Sequence, residues 1–289
     1  MNKHELLESY KSLCAYLKEE NKITDFDSYF HNFAAFVSFA IHLKTYDFVA
    51  PYCDNKEILD VGCFLGYGEA CIASKARKIT AIDLDHQAIE YAKKNNKYDN
   101  VTFEEVDATK LSSVGKTFDV IFAFQLIEHI PPRKVKHLVH SLKGLLNRGG
   151  LLFVVTPNRK FRLLPFQQPF NLEHYQEFSS KSLSNALQSE FDEVTMKGIR
   201  LKDWLQEIEE KRIHKSILFA YVFTPAYRLL SKIFPTLTKK IVGRLFHSQK
   251  PGDNNTFNEL FEKFTMEDLY LEEEASNDAT DLFAVCRDT

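Results

Sequence analysis

Two histidines and a glutamate in the middle of the sequence have side chains that proton transfer requires. Glu128 and His129 stand together after the apolar run 118–124, and His174 lies further along the chain. An imidazole titrates near neutral pH, so either histidine could act as a general base toward a hydroxyl group. The same three side chains could also bind a divalent cation. A third interpretation is structural, with Glu128 and His174 hydrogen-bonded to hold a loop in shape.

A glycine-rich stretch nearer the N-terminus has the form of a nucleotide-cofactor loop. The apolar run that begins at Glu57 contains Asp60, and glycines follow at positions 62, 66 and 68. Glycine accepts positive φ and lets a ligand approach the backbone closely. A loop of this kind, between a buried strand and a helix, is where open α/β sheets hold nucleotide-like cofactors. The spacing is not the dinucleotide fingerprint, whose third glycine is absent.

Acids follow two further apolar runs, where they could contact such a cofactor. Asp83 ends the run 78–83, about twenty residues after the glycine loop, where a carboxylate can accept hydrogen bonds from both ribose hydroxyls. Asp85 is an alternative at this position. Asp107 ends a third run. It could contact such a cofactor, or it could equally be an acid that forms a turn or caps a helix.

Together these motifs resemble the class I S-adenosylmethionine (SAM) methyltransferases. Motif I of that family reads like D-x-G-x-G-x-G, and Phe64 stands here where its middle glycine normally lies. The resemblance covers roughly residues 40–200 and returns at the C-terminus. It implies SAM as the cofactor, with its ribose on Asp83 and its adenine near Asp107. The residues predicted to bind the cofactor are Asp60, Gly62, Cys63, Gly66, Asp83, Leu84, Asp107, Ala108 and Gln125.

The histidines carry a second resemblance. Glu128-His129 resembles the end of the E-x-x-E-H motif of ubiquinone-biosynthesis O-methyltransferases and of plant small-RNA 3′-end methyltransferases, in which two acids and the histidine bind a divalent cation. Gln125 replaces the first acid here. This resemblance implies a site for Mg²⁺ or Mn²⁺ on Glu128, His129 and His174, or no metal at all. The residues predicted to be catalytic are His129 and His174.

Two other segments resemble methyltransferases tied to bacterial surface-glycan assembly. One is the entry segment from His42 to Phe48, and the other pairs the tripeptide 156–158 with the H-x-x-E-F segment that begins at His174. Tyr46 and Phe48 are as readily interpreted as residues that pack a helix on the sheet. The resemblance implies methylation of a sugar hydroxyl.

The elements that must position these residues follow from the hydrophobic pattern. Apolar runs alternate with helical segments five times between residues 57 and 156, which predicts a doubly wound parallel sheet. Runs near residues 191–196 and 281–286 predict a sixth and a seventh strand. The predicted fold is therefore α/β, a Rossmann-like seven-stranded sheet with N-terminal helices and a long helical insertion before the last strand.

The predicted domain organisation has four parts. Residues 1–56 form an N-terminal helical cap, 57–199 the SAM-binding core, 200–278 a helical insertion, and 279–289 the last core strand. From Lys211 to Gly252 the insertion has nine Lys or Arg and no Asp or Glu, together with a large apolar face. Three interpretations stay open for it: a cap over the substrate cleft, a surface between subunits of a homo-oligomer, and a peripheral contact of 211–250 with anionic lipid at the inner membrane surface.

Composition excludes several classes of protein. A net charge of −3 over 289 residues argues against a protein built to neutralise nucleic acid. The five cysteines show no C-x-x-C pair, which is typical of reduced thiols in the cytoplasm. We expect no signal peptide and no apolar run as long as a membrane span.

The expected activity is SAM-dependent O-methylation of a sugar hydroxyl on a surface glycan or a glycolipid precursor. Two alternatives are methylation of a small soluble or quinone-like acceptor and a catalytically silent SAM-binding module. Methylation of RNA, by analogy with the small-RNA enzymes, is disfavoured by the net charge and by the lack of a recognisable RNA-binding domain.

Overall fold

The computed structural model describes residues 3–20, 22–23, 25–213, 218–234 and 254–287. The chain divides into two compact units. The first unit contains Met1–Ile41, Leu163–Leu172 and Leu201–Leu269, and the second contains His42–Arg162, Glu173–Arg200 and Tyr270–Thr289. The predicted domain boundaries stay a prediction.

One mixed sheet forms the centre of the second unit. Its strands are β1 (Glu57–Val61), β2 (Lys78–Asp83), β3 (Val101–Glu105), β4 (Phe118–Phe124), β5 (Leu146–Pro157), β6 (Glu193–Leu201), β7 (Leu269–Glu272) and β8 (Asp281–Arg287). Their spatial order is β3-β2-β1-β4-β5-β8-β6-β7. The α/β fold is confirmed, but the predicted strand number was wrong. Within the described ranges the sheet has eight strands rather than seven, because the short β7 adds to the edge beside β6.

The first five strands are parallel and bring their carboxyl ends to one edge. β1 lies between β2 and β4, with Asp60 opposite Ala81 on one side and Phe122 on the other. β8 runs antiparallel to both β5 and β6. Since β1, β2, β4 and β5 are neighbours, the loops that follow them meet at the same edge, where such sheets bind ligands.

The helices are α1 (Lys3–Glu19), α2 (Phe26–Phe30), α3 (Phe33–Val49), α4 (Glu69–Ile72), α5 (His86–Asn95), α6 (Pro132–Gly144), α7 (Arg159–Arg162), α8 (Ser180–Leu187), α9 (Asp203–Arg212), α10 (Thr224–Ile233) and α11 (Asn254–Lys263). α6 begins with proline at its first position, where the missing N–H costs nothing. It ends at Gly144, and β5 starts at Leu146. Leu146 pairs with Phe118, and an irregularity then shifts the register of the two strands.

The hydrophobic core of the second unit includes apolar residues of the sheet and of the helices beside it. α6 contributes Val135, Leu138, Val139 and Leu142, spaced as one helical stripe, and these side chains are buried in one cluster with residues of β4 and β5. This packing fixes the strands whose ends carry the candidate site.

An aromatic cluster forms the core of the first unit. Phe36 of α3 contacts Tyr10 of α1 and the rings of Phe257, Phe261 and Phe264 at centroid distances between 5.3 and 5.9 Å. Such edge-to-face contacts between rings are favourable beyond the area they bury. The N-terminal helices and α11 therefore share one core.

One stretch, Phe33–Tyr52, is long and apolar enough to cross a bilayer by length and composition alone. By that measure the expectation that no segment reaches such a length was wrong. About 56% of its most apolar window is buried inside the protein, and a buried core helix passes the same test.

Candidate functional site

The glycine loop after β1 turns back on the end of β2. The N–H groups of Gly62 and Cys63 both donate to the carbonyl oxygen of Ile82, at 2.7 and 3.1 Å. Gly62 and Gly66 have φ of 91° and 76°, the left-handed region that glycine adopts most readily. Phe64 also lies in this region, with φ of 48°. The loop therefore keeps a glycine-like backbone at the position where the resembled family has a glycine.

Packing, rather than access for a ligand, explains two of the loop glycines. A Cβ added at Gly66 would lie 2.6 Å from the ring of Phe103, and one at Gly68 would overlap the ring of Tyr46. Tyr46 itself is fully buried and lies on α3. Glycine at these positions thus allows the two aromatic rings to pack against the loop.

Two buried carboxyl groups flank this loop. Asp60 lies in β1 and Glu69 begins α4, and both are almost completely removed from water. Burial raises the pKa of Asp60 from 3.8 to about 7 and that of Glu69 well above 4.5. The Tyr46 hydroxyl donates to Asp60 Oδ2 at 2.7 Å, whereas Asp60 Oδ1 and both oxygens of Glu69 have no other donor. A proton shared between the two carboxyls near neutral pH would satisfy one oxygen of each.

The carboxylate of Asp83 holds the backbone of the two loops beside it. Its oxygens accept from the N–H groups of Phe64 and Asp85, each at 2.9 Å. Asp85, the alternative ribose ligand, instead caps α5 by accepting from two amides in its first turn. Leu84 between them is 66% exposed. Each carboxylate oxygen has a second lone pair, so Asp83 retains capacity for ribose hydroxyls.

Asp107 caps the 3₁₀ segment Ala108–Val114 that follows β3. Its Oδ1 accepts from the N–H of Thr109 at 2.8 Å, and this bond contributes to holding the pKa of the carboxyl below its usual range. Lys110 forms an ion pair with it at 3.6 Å. Asp107 therefore acts as a capping residue, as one of its two interpretations predicted. Its predicted contact with adenine stays a prediction.

Gln125 follows β4 and has a left-handed backbone conformation, with φ of 51°. Its N–H donates to the carbonyl oxygen of Val155 at 2.7 Å, and its side-chain amide donates to Asp281 Oδ1 at 2.8 Å. Residues other than glycine rarely adopt this backbone region, and those that do concentrate at functional sites. The amide is directed to β8, so Gln125 is not one of the residues that cluster around the histidines.

Glu128, His129 and His174 come together beyond the ends of β4 and β5. Each contributes one potential ligand atom, and these atoms all lie within 4.8 Å of one another. The two imidazole rings meet edge to face with centroids 4.8 Å apart. Glu128 and His129 lie in the 3₁₀ turn Ile127–His129, and the N–H of Tyr175 donates to the Glu128 carbonyl at 2.9 Å. That bond connects the loop carrying His174 to the turn.

Burial disfavours the charged forms of Glu128 and His129. Glu128 is fully buried, which raises its pKa from 4.5 to about 8, although its Oε2 accepts from the Thr156 hydroxyl at 2.8 Å. Its Oε1 has no donor. Burial also lowers the pKa of His129, and the neighbouring His174 adds to this effect. His129 is thus a neutral imidazole near pH 7, which is the form that a general base requires.

Glu177 is a further member of the site, to which the sequence interpretation assigned no role. Its Oε1 lies 3.2 Å from Nδ1 of His174 and 3.7 Å from Nε of Arg162, and it is buried. A carboxylate on Nδ1 favours the tautomer that carries its proton there and leaves Nε2 as the acceptor. The H-x-x-E spacing was the signal for this contact.

The residues present suit both candidate ligands in their chemistry. SAM carries positive charge on its sulfonium and amino groups, and the loop edge offers Asp83. A cation would suit the unsatisfied Oε1 of Glu128 with two imidazoles, once Glu128 loses its proton. A separate cavity of about 390 Å³ is lined by residues such as Asp119 and Asn147, at the starts of β4 and β5, and so lies at the opposite edge of the sheet.

Comparison with known proteins shows similarity to methyltransferases. Residues 58–150 match the model of a methyltransferase domain. A probable S-adenosylmethionine-dependent methyltransferase of Mycobacterium tuberculosis is 32% identical over 172 residues, which cover 57% of this chain and 61% of that protein. A ubiquinone biosynthesis O-methyltransferase of Coxiella burnetii is 29% identical over 110 residues, 37% of this chain and 46% of that protein. The chain thus spans less than two thirds of either relative.

A solved structure supports the fold over a longer range. A SAM-dependent methyltransferase from Archaeoglobus fulgidus aligns with a TM-score of 0.50, covering 87% of this chain and 93% of that chain at 14% identity. A sequence identity of 14% is evidence for a shared fold alone. Residues 58–150 therefore resemble a methyltransferase domain, and the chain has the fold of the SAM-dependent methyltransferases.

Proposed function

We propose that the protein is a SAM-dependent O-methyltransferase acting on a sugar hydroxyl of a surface glycan or glycolipid precursor. The observation that carries the oxygen acceptor is the pair of imidazoles, His129 and His174, held beside a buried carboxyl at the edge where the cofactor loop lies. A hydroxyl needs its proton removed when it is methylated, whereas a thiolate or a free amine has less need of a base.

Different residues of the chain orient the cofactor and accept the proton. SAM supplies an electrophilic methyl group on a sulfonium, which is transferred by in-line displacement. Asp83 and the backbone of the glycine loop orient the cofactor. The neutral imidazole of His129, or the imidazole of His174 that Glu177 contacts at Nδ1, would accept the hydroxyl proton. Positioning of the hydroxyl in line with the sulfonium contributes much of the rate acceleration.

The proposal of a sugar hydroxyl as the acceptor is supported by the loop after β5. Asn158 pairs with Phe178 in an isolated bridge, which joins the two segments whose motifs resemble glycan-assembly methyltransferases. Asn158 also donates to the carbonyl oxygen of Ala279 at 2.8 Å. A soluble or quinone-like acceptor is the alternative, and the Coxiella relative, a ubiquinone biosynthesis O-methyltransferase, favours it. A catalytically silent SAM-binding module is a third option, which the Phe64 and Gln125 departures keep open.

A divalent cation on Glu128, His129 and His174 is the competing route to the same chemistry. A cation lowers the pKa of a bound hydroxyl and so replaces the base. Two nitrogen ligands and one carboxylate suit Mn²⁺ better than Mg²⁺, which prefers oxygen. We also propose a cytoplasmic location, which the absence of a disulfide among the five described cysteines supports.

The test is methyl transfer from SAM to a panel of nucleotide sugars, lipid-linked sugars and catechols, with and without EDTA. We expect transfer to a sugar acceptor that survives EDTA and is lost in His129→Ala or His174→Ala. His137→Ala, an exposed histidine on α6, is the matched control. Activity that EDTA abolishes and Mn²⁺ restores would assign the metal route. SAM binding with no transfer to any acceptor would favour the silent module.

A further inference from the structure

Helix α10 has its apolar face turned to solvent. Ala226, Leu229, Leu230 and Ile233 have the spacing of one helical stripe, and all four are exposed. Leu229 and Ile233 are 61% and 58% exposed. A helix that covers a core has the opposite arrangement, with its apolar stripe buried and its polar face in water.

The other face of α10 is held to the same compact unit by polar and aromatic contacts. Arg228 Nη1 donates to the carbonyl oxygens of Pro169 and Asn171, at 2.8 and 2.9 Å. The ring of Tyr227 stacks on Phe170 with centroids 5.0 Å apart. Because Arg228 is fixed inward by two carbonyls, the helix cannot turn its leucines toward that unit without losing both hydrogen bonds. The outward direction of the apolar stripe is therefore fixed by these two tertiary hydrogen bonds of Arg228.

Further apolar side chains extend this surface at both ends of the helix. Leu218 and Val222 are 70% and 59% exposed, and Phe234 is 54% exposed. Phe166 is 91% exposed and follows Pro165, whose carbonyl oxygen accepts a hydrogen bond from the Tyr221 hydroxyl. We call the exposed side chains of Phe166, Leu218, Val222, Leu229, Leu230, Ile233 and Phe234 the α10 surface. Contiguous exposed apolar area of this kind marks a binding surface.

The charge of the surrounding chain identifies the partner. Residues 211–252 contain nine Lys or Arg and no Asp or Glu, although the whole chain has a net charge of −3. Of these, Lys211 and Lys232 are exposed in the described part of the segment. Exposed apolar side chains together with the exposed Lys211 and Lys232 fit an anionic lipid surface, where apolar groups enter the acyl boundary and cations meet headgroups.

We propose that the α10 surface docks this protein on an anionic membrane. This proposal does not depend on which acceptor is methylated. A protein held at a membrane would meet lipid-linked acceptors at high local concentration, and soluble ones at no advantage. A second copy of the chain is the other possible occupant, and the experiment separates the two.

The experiment is sedimentation of the full chain with vesicles of phosphatidylcholine alone or of phosphatidylcholine mixed with phosphatidylglycerol. We expect binding to the mixed vesicles that weakens as salt is raised, because screening acts on the basic residues. The double substitution Leu229→Ser with Ile233→Ser should lower partitioning by about ten-fold or more, since two aliphatic side chains leave the acyl boundary. The matched control is Tyr98→Ser with Tyr270→Ser, two rings that are 38% and 41% exposed elsewhere.

SAM binding and thermal unfolding of each variant verify that it is folded. No binding to mixed vesicles would overturn the proposal, as would equal, salt-independent binding to both vesicle types. Unchanged partitioning of the double variant would also overturn it. Light scattering gives the remaining outcome: a dimer that the double variant abolishes, without vesicle binding, would assign the surface to a second copy of the chain.

Discussion

The hydroxyl of Tyr46 lies 2.7 Å from Oδ2 of Asp60, and both side chains are fully buried. Tyr46 belongs to α3, which precedes the sheet, and Asp60 belongs to the strand that leads into the glycine loop. The ring of the same tyrosine fills the space that a side chain at Gly68 would need. One residue outside the motif therefore supports the loop through a hydrogen bond and through packing.

Tyr46→Phe should destabilise the protein by about 1–3 kcal/mol, because a buried acceptor on Asp60 loses its donor. Tyr46→Ala should cost more, about 3–5 kcal/mol, since a cavity replaces the ring. Urea unfolding measures both effects. Tyr98→Phe, at an exposed ring, is the control and should be neutral. Equal stability of Tyr46→Phe and the wild type would show that the hydrogen bond contributes nothing.

Gly68→Ala should destabilise the protein by about 1–3 kcal/mol or more, because the new Cβ overlaps the Tyr46 ring. Gly144→Ala is the matched control, since a Cβ there meets nothing within 4 Å and helix propensity favours alanine. Combining Gly68→Ala with Tyr46→Ala tests the mechanism. If the overlap is the cause, the double variant should lose less stability than the two single losses together.

Glu128 should make stability depend on pH. The pKa of Glu128 is about 8 in the folded protein and 4.5 ordinarily. Between pH 4.5 and pH 8 the folded state therefore keeps a proton that the unfolded state has lost. The stability this proton provides is complete below pH 4.5 and is lost as pH rises through 8. The loss is roughly 3–5 kcal/mol, because each pKa unit is worth about 1.4 kcal/mol.

Urea unfolding of Glu128→Gln at pH 5 and pH 8.5 tests this dependence. The variant cannot ionise at this position, so its stability should fall less between the two pH values than that of the wild type. Glu105→Gln, at an exposed carboxyl, is the control and should keep the wild-type slope. A wild-type slope in Glu128→Gln would mean that another group causes the dependence.

Asp83→Ala should lower SAM affinity by about ten-fold or more, since a hydrogen bond to a charged group is worth about 1.5–3 kcal/mol. Asp83→Asn should lose less, because the amide oxygen still accepts one hydrogen bond. The backbone N–H groups of Phe64 and Asp85 also lose their acceptor in the alanine variant, so loop order contributes to the effect. Calorimetry with Asp99→Ala as an exposed control gives the affinities. Wild-type affinity of Asp83→Ala would remove Asp83 from the cofactor site.

Much of the sheet could be predicted from the sequence. Runs such as 78–83 and 118–124 are apolar over the length of a strand, and each is followed by a helix, which leaves a parallel arrangement as the consistent one. β7 was not predicted because Leu269–Glu272 is only four residues long, and pairing at a sheet edge gave it strand structure. Tertiary pairing also sets the start of β5. Glycines at 149 and 150 are typical of a helix stop, but the pairing of Leu146 with Phe118 places both of them within the strand.

The sequence by itself determined which residues could do chemistry and at which edge they would lie. Local patterning sets the strands, and the carboxyl ends of neighbouring parallel strands share one edge. That is why Asp60, Asp83 and Glu128 could be assigned to a common region. The amino-acid types allowed either a histidine base or a bound metal ion at this site and did not decide between the two.

Only the tertiary structure decided which side chains touch. Glu177 holds His174, Tyr46 bonds to Asp60, and the amide of Gln125 is directed to Asp281 rather than to the histidines. The physical reason is that a contact between distant residues depends on how loops close and which rotamers pack. The spacing of α10 likewise predicts an apolar stripe without saying which way it faces. Its outward direction is fixed by the two carbonyl oxygens that bind Arg228, a contact across 59 and 57 positions of the chain.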